Sequence, residues 1–161
     1  MSRVCVDSGF LIGLYDERDS YHRLAEQHFS TYIGPRVNQL LVPWPILYES
    51  VSTRMVSRGS RVALLEKDWK RLEAERRLVM LDDREFRQNA MEECLAEAWK
   101  TPARYRALSL TDRVLRSLLS EISVGVDVFI TFNEEDFADV CRRRGQTLVG
   151  KQSGDSLSHG S

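Results

Sequence analysis

Cysteine is scarce in this chain and does not pair. Cys5, Cys94 and Cys141 are odd in number, widely scattered and free of any CxxC spacing. That pattern speaks against a disulfide framework and against a structural zinc site. Each reads as a small core residue, with Cys5 in a first strand and Cys94 on a helix face. Long hydrophobic runs are also missing. No apolar stretch approaches the length of a membrane span, so no membrane association is expected. Asp7 interrupts the only apolar run near the start, which argues against a signal peptide and for a cytoplasmic protein with reduced thiols. Excess charge is absent too: 23 basic against 24 acidic residues leave a formal net charge of -1. Any affinity for nucleic acid must therefore come from a local patch. Lysine is rare, for 19 of the 23 basic residues are arginine and only 4 are lysine. Arginine suits phosphate because its fork binds two oxygens at once, although codon bias explains the skew equally well.

At 161 residues the chain has the length of one domain with a sizeable core. Its 42% hydrophobic and 29% charged residues are ordinary for a soluble globular protein. Short β-branched runs alternate with segments of helical periodicity. Strands are expected at Val4–Asp7, Leu40–Val42, Leu78–Leu81, Asp127–Thr131 and Gln146–Val149. Helices are expected after Ser8, over Tyr21–Tyr32, over Pro45–Arg58, over Arg61–Arg76, after Asp82-Asp83, from Thr111 to about Ile122, and up to Gly145. Lys100–Leu108 reads as a loop. The alternation indicates a parallel sheet covered by helices on both faces. From Gly150 onward the chain is polar and Gly/Ser-rich, so the expected division is a domain over residues 1–149 and a disordered tail over 150–161.

The chemistry lies in a few acids. Asp7 falls at the end of the first strand, and ligands of parallel sheets bind at the carboxyl ends of strands. Glu49 lies in the first turns of the helix from Pro45, and Asp112 in the first turn of the helix from Thr111. Asn133 and Asp136 follow the Asp127–Thr131 strand. Helix N-termini favour negative charge by roughly 0.3–1 kcal/mol. Acids converging in one cleft still repel, and need protons or a hard cation to coexist. Mg²⁺ or Mn²⁺ with oxygen ligands is the natural occupant, and no His/Cys cluster competes for it. Each acid also has a plainer reading. Asp7, Asp112 and Asp136 are all placed to start helices, and Glu49 sits between polar neighbours as a solvated helix residue would. His22 and His28 read as structural or surface groups.

Four local segments occur in a telling order: Val6-Asp7-Ser8-Gly9, Tyr48-Glu49-Ser50, Leu110-Thr111-Asp112 and Ile130-Thr131-Phe132-Asn133-Glu134-Glu135-Asp136-Phe137. Together they resemble the PIN-domain family, including the VapC-type toxins, over residues 3 to about 149. The resemblance implies a three-layer α/β/α fold with a central, mainly parallel sheet. It implies a metal-dependent endoribonuclease whose acidic triad is Asp7, Glu49 and Asp112. The fourth family position is often acidic; here it is Asn133, an amide that ligates through its carbonyl, with Asp136 to supply charge. Ser8 and Thr131 resemble the small hydroxyl residues beside the metal. Arg104, Arg106 and Arg113 are candidates to meet RNA phosphates, as is the Arg142–Arg144 run. A toxin of this kind implies a cognate antitoxin and often a homodimer. An RNA-processing nuclease of the same fold, or a degenerate binder that does not cut, fits the same residues. A rival from another class is a flavodoxin-like phospho-receiver, with Asp7 on Mg²⁺, Asp82 or Asp83 as phosphate acceptor and Lys151 as a loose candidate lysine.

Overall fold

The computed structural model describes residues 1–98 and 107–152. Five strands form one sheet: β1 (Arg3–Val6), β2 (Gln39–Pro43), β3 (Leu78–Leu81), β4 (Val128–Ile130) and β5 (Thr147–Val149). All four pairings are parallel, in the order β3-β2-β1-β4-β5. Val4, Cys5 and Val6 in β1 and Phe129 and Ile130 in β4 are wholly buried. Continuous apolar strands of this kind belong to sheets covered on both faces.

Two groups of helices provide the cover. α1 (Ser8–Tyr15), α2 (His22–His28), α3 (Trp44–Ser50), α4 (Thr53–Val56) and α5 (Gly59–Ala74) lie in the connections that run from β1 out to β3. α6 (Arg84–Ala98), α7 (Leu110–Ser120) and α8 (Ala138–Arg144) lie in the connections that return across β1 to β5. α1 packs on α2, α3 and α5, whereas α7 packs on α6 and α8, giving three layers, α/β/α. Helix α7 shows how pattern becomes packing. Leu115 and Leu119 enter the main core, while Val114 and Leu118, one step round the helix, meet Ala90 of α6. Beneath it, Phe129 and Phe137 meet edge to face with centroids 5.0 Å apart. At the end of α8, Gly145 takes φ +66°, the left-handed cap that lets the chain turn back into β5.

The strand order is decisive for one rival. A flavodoxin-like receiver runs 2-1-3-4-5 and places its third strand at the centre. Here β3 is the sheet edge, and Asp82 and Asp83 behind it are ion-paired to Arg84 and Arg87. The receiver reading is thereby overturned.

Two expected helices are not continuous. The one over Tyr21–Tyr32 passes from α2 into a π-helical turn, Phe29–Ile33, closed by the Gly34 N–H on the Phe29 carbonyl at 2.8 Å. The widened turn accompanies two fixed anchors of His28, whose Nε2 donates to the Gly150 carbonyl at 2.8 Å and whose ring stacks on Phe132. The helix expected over Pro45–Arg58 breaks at Val51 and Ser52 into α3 and α4. Val51, Ser52 and Thr53 are all poor helix formers, and Ser50 Oγ bonds back to the Ile46 carbonyl at 2.7 Å. Of the expected tail, Gly150 is tied to His28 and Lys151 donates its N–H to Glu134; residues 153–161 lie outside the described residues. Among the described residues, no helix is long and apolar enough to cross a membrane.

Candidate active site

The chain leaves β1 in one direction toward β2 and β3, then crosses to β4 on the other side of β1. Crevices of open α/β sheets form at such a reversal, outside the carboxyl ends of the two strands. Register puts Asp7 and Thr131 there. Val6 pairs with Ile130, and the next residue of each strand enters the crevice wall. A cleft of about 610 Å³ opens at this point, lined among others by Asp7, Glu49, Asp112 and Asn133.

Asp7 is the most constrained of these. It caps α1, one carboxylate oxygen accepting from the Phe10 N–H at 2.8 Å while the other accepts from the Thr131 hydroxyl. The plain helix-start role and the cleft position are thus the same geometry. Burial pushes the Asp7 carboxyl up from 3.8 to about 6. The Thr131 and Phe10 hydrogen bonds pull against that rise, and the charges of Asp112 and Glu49 add to it. Asp112 and Glu49, distant in sequence, are therefore electrostatic neighbours of Asp7.

Asp112 also starts its helix. The Ser109 hydroxyl accepts from the Asp112 N–H at 3.1 Å, and Asp112 accepts from the Ser109 N–H at 3.4 Å, a reciprocal capping box. Ser109→Ala is expected to cost about 1 kcal/mol. In a thermal melt that is a fall of about 2–4 °C. Glu49 projects from α3 and is exposed. Ser8 lines the cleft beside Asp7, whereas Thr131 is fully buried and holds Asp7 from beneath.

Asn133 and Asp136 take unequal places. Asn133 lines the cleft and receives the Thr131 hydroxyl oxygen as acceptor for its N–H at 2.9 Å. Its Nδ2 donates to the Asp136 carboxylate, which leaves the amide oxygen as the group it offers. Asp136 is bonded to Asn133 and is not among the residues that line the cleft. Arg113 is buried against α6, 2.7 Å from Glu97 and 3.9 Å from Glu93, and so faces away from the cleft. The heptad-like spacing on α7 turns position 113 inward beside Val114. Arg104 and Arg106 lie outside the described residues. Arg142, Arg143 and Arg144 are exposed in the last turn of α8, where cations favour the helix dipole.

Sequence reasoning missed two charged lining residues. Arg54 reaches the rim because the helix breaks at Val51–Ser52, and its guanidinium lies 3.5 Å from Asp16. Asp19 enters from the polar turn after α1, where it accepts from the Tyr21 N–H at 2.9 Å. The Ser52-Thr53 pair, a common helix-start grammar, was the available signal for the first.

By type the donors suit a hard divalent cation: carboxylates, an amide carbonyl and hydroxyls, with no thiol or imidazole among them. Among the described residues, no three His, Cys, Asp or Glu side chains already stand as a group able to hold a metal ion. Thiol chemistry is not available nearby, because burial pushes Cys5 far up and Cys141 up to about 11.

No protein-family profile and no curated protein matches the chain. Among solved structures it is similar to Mycobacterium tuberculosis VapC20, a toxin that cleaves the sarcin-ricin loop. The identity is 17% and the TM-score 0.58, over 84% of this chain and 94% of that one. A likeness that spans both chains at such low identity speaks to architecture, and the strand order and the crevice agree with it: the chain has the three-layer PIN fold of VapC20.

Proposed function

We propose that this chain is a divalent-metal-dependent endoribonuclease that hydrolyses RNA phosphodiester bonds, acting as the toxin of a toxin–antitoxin pair in the cytoplasm. The observation that carries the reading is the Asp7 carboxyl, buried at the reversal of the sheet in a cleft that Glu49 and Asp112 also line. A buried acid kept among like charges in a cleft is costly for folding and marks a working site. The resemblance of the four acidic segments and the fold of a toxin that cuts RNA point to the same chemistry.

Asp7, Glu49 and Asp112 would hold Mg²⁺ or Mn²⁺, with Asn133 beside them, and the ion's part is to lower the pKa of water and neutralise phosphate charge. The chain's own groups do the rest. Thr131 and the Phe10 N–H fix the orientation of Asp7, and the Ser109 turn fixes the backbone of Asp112. Asp136 holds the Asn133 amide so that its oxygen is presented. Arg54 supplies a cation at the rim for an RNA phosphate. A cognate antitoxin and a homodimer belong to the same reading.

The test is cleavage of a mixed, structured RNA pool with Mg²⁺ or Mn²⁺ against EDTA, with Asp112→Asn prepared alongside. Loss of an outer-shell metal partner typically costs about 10–100-fold. Removal of a direct ligand is expected to exceed about a hundredfold. Cutting that persists in EDTA or in the variant would sink the reading. Growth arrest on expression, relieved by the neighbouring gene's product, tests the toxin role; harmless expression of an active enzyme would favour a processing nuclease.

A further inference from the structure

A second hollow of about 580 Å³ lies beside the carboxylate cleft and shares two of its walls. Helix α3 sends Tyr48 to the hollow and Glu49 to the cleft. The first turn of α7 sends Leu110 and Thr111 to the hollow and Asp112 to the cleft. The hollow has an apolar character that the cleft lacks. Trp44 and Tyr48 stand at its edge with ring centroids 5.8 Å apart, and Pro45 and Val114 contribute apolar surface. Both rings are exposed, Tyr48 at 72% and Trp44 at 39%. Two aromatic rings left in water side by side next to an acidic cleft are not explained by the core.

The polar rim completes the description. Asp82 and Asp83 line the hollow, but each is neutralised, by Arg84 at 2.6 Å and Arg87 at 2.7 Å. The guanidinium groups themselves remain largely exposed, and Arg87 is an electrostatic neighbour of Tyr48. The site therefore offers aromatic faces, an apolar floor and, at the rim, two exposed guanidinium groups each shared with an aspartate. That combination suits a nucleobase with its flanking phosphate, since every base has a face to stack and stacking needs no particular sequence.

Resting on the nuclease reading above, we propose that Trp44 and Tyr48 form a stacking platform for an unstacked base of single-stranded RNA. The base belongs to a nucleotide next to the one whose phosphate lies at the carboxylates. A strand that crosses the shared wall from cleft to hollow must lift one base out of its helical stack. A paired, stacked duplex cannot do so without paying the unstacking energy, so the platform selects unpaired segments as substrate.

The test is binding of a labelled mixed-sequence single-stranded RNA, read by fluorescence anisotropy in Ca²⁺, beside a fully paired hairpin of the same composition. Trp44→Ala and Tyr48→Ala are each expected to weaken single-strand binding about tenfold. Hairpin binding should stay as in wild type, and Trp44→Phe should keep most of the single-strand affinity. Thermal melts establish that the variants are folded. Alanine variants that bind the single strand like wild type would overturn the platform, leaving the surface to a protein partner. Equal losses for single strand and hairpin would overturn it too, because a general loss of affinity is not stacking. Wild-type cleavage with unaffected platform variants would defeat this inference alone. A wild type that neither binds nor cuts RNA would defeat it together with the nuclease reading.

Discussion

Asp7→Asn is expected to abolish metal-dependent cleavage while making the metal-free protein more stable at neutral pH. Asparagine is itself a good helix cap and keeps an oxygen for the Phe10 N–H. Its NH₂ can donate to the Thr131 hydroxyl oxygen, which already accepts from the Asn133 N–H, at the cost of the acceptor that the Thr131 O–H now has in Asp7. What is removed is the buried charge. The folded carboxyl titrates at about 6 against an ordinary 3.8, so between those values the folded chain holds a proton that the unfolded chain has released. Stability of the wild type therefore falls as pH rises from about 4 to about 6, and the full penalty is present above that window. At about 1.4 kcal/mol per pH unit it amounts to about 3 kcal/mol.

Thermal melts in EDTA from pH 4 to pH 8 read this directly. Wild type and variant should coincide near pH 4 and separate by about 5–10 °C above pH 7, with the variant higher. A variant that melts lower throughout would show that the carboxylate is held by contacts worth more than its desolvation. Adding Mn²⁺ should raise the wild-type transition more at pH 8 than at pH 5, since binding competes with the proton on Asp7. The variant should respond weakly at both.

Arg61→Met is expected to cost stability on a similar scale through a different mechanism. Arg61 and Asp16 are both buried and ion-paired, joining the end of α1 to the first turn of α5. Asp16 also accepts from the Arg18 N–H at 3.0 Å, and among the described residues its second oxygen has only the exposed Arg54 guanidinium at 3.5 Å. Without Arg61 a charge at 2% exposure is left with partners too weak to compensate its desolvation. Breaking one side of a buried pair typically costs about 3–5 kcal/mol. For a domain of this size that corresponds to a fall of about 10 °C in Tm. Adding Asp16→Asn to Arg61→Met should recover much of the loss, because the orphaned charge goes with it. A double variant no more stable than the single one would show that packing of the long Arg61 stem, and not charge, holds the two helices together.

The pair has a consequence for the cleft. Asp16 is the anchor of Arg54, and Arg54 is on the rim only because the chain breaks between α3 and α4. Periodicity reads Pro45–Arg58 as one helix, since the apolar stripe continues through the break. Only the clash of three poor helix formers with the back-bonded Ser50 ends it. A continuous helix would carry residue 54 to another azimuth relative to Glu49. Likewise, α7 looks from its sequence as though it could present Arg113 to RNA. Burial of Val114 and Leu115 on either side of the core turns that arginine inward to Glu97.

The sequence by itself determined the alternation of strands and helices, the parallel character of the sheet, and the residue types gathered at strand ends and helix starts. Those depend on local periodicity, on caps and on β-branched runs, all encoded within a few residues. It also singled out Asp7, Glu49, Asp112 and Asn133, by their places at strand ends and helix starts and by the order of the segments that hold them, and all four line one cleft. Tertiary structure alone decided that the order is β3-β2-β1-β4-β5, which excludes the receiver fold and places the crevice between β1 and β4. It alone kept Asp136 out of the cleft lining, put Thr131 under Asp7, and left Trp44 and Tyr48 in water beside Glu49. These are relations between segments as much as 124 residues apart. They follow from which crossovers bury the most apolar surface, and no local pattern carries that sum.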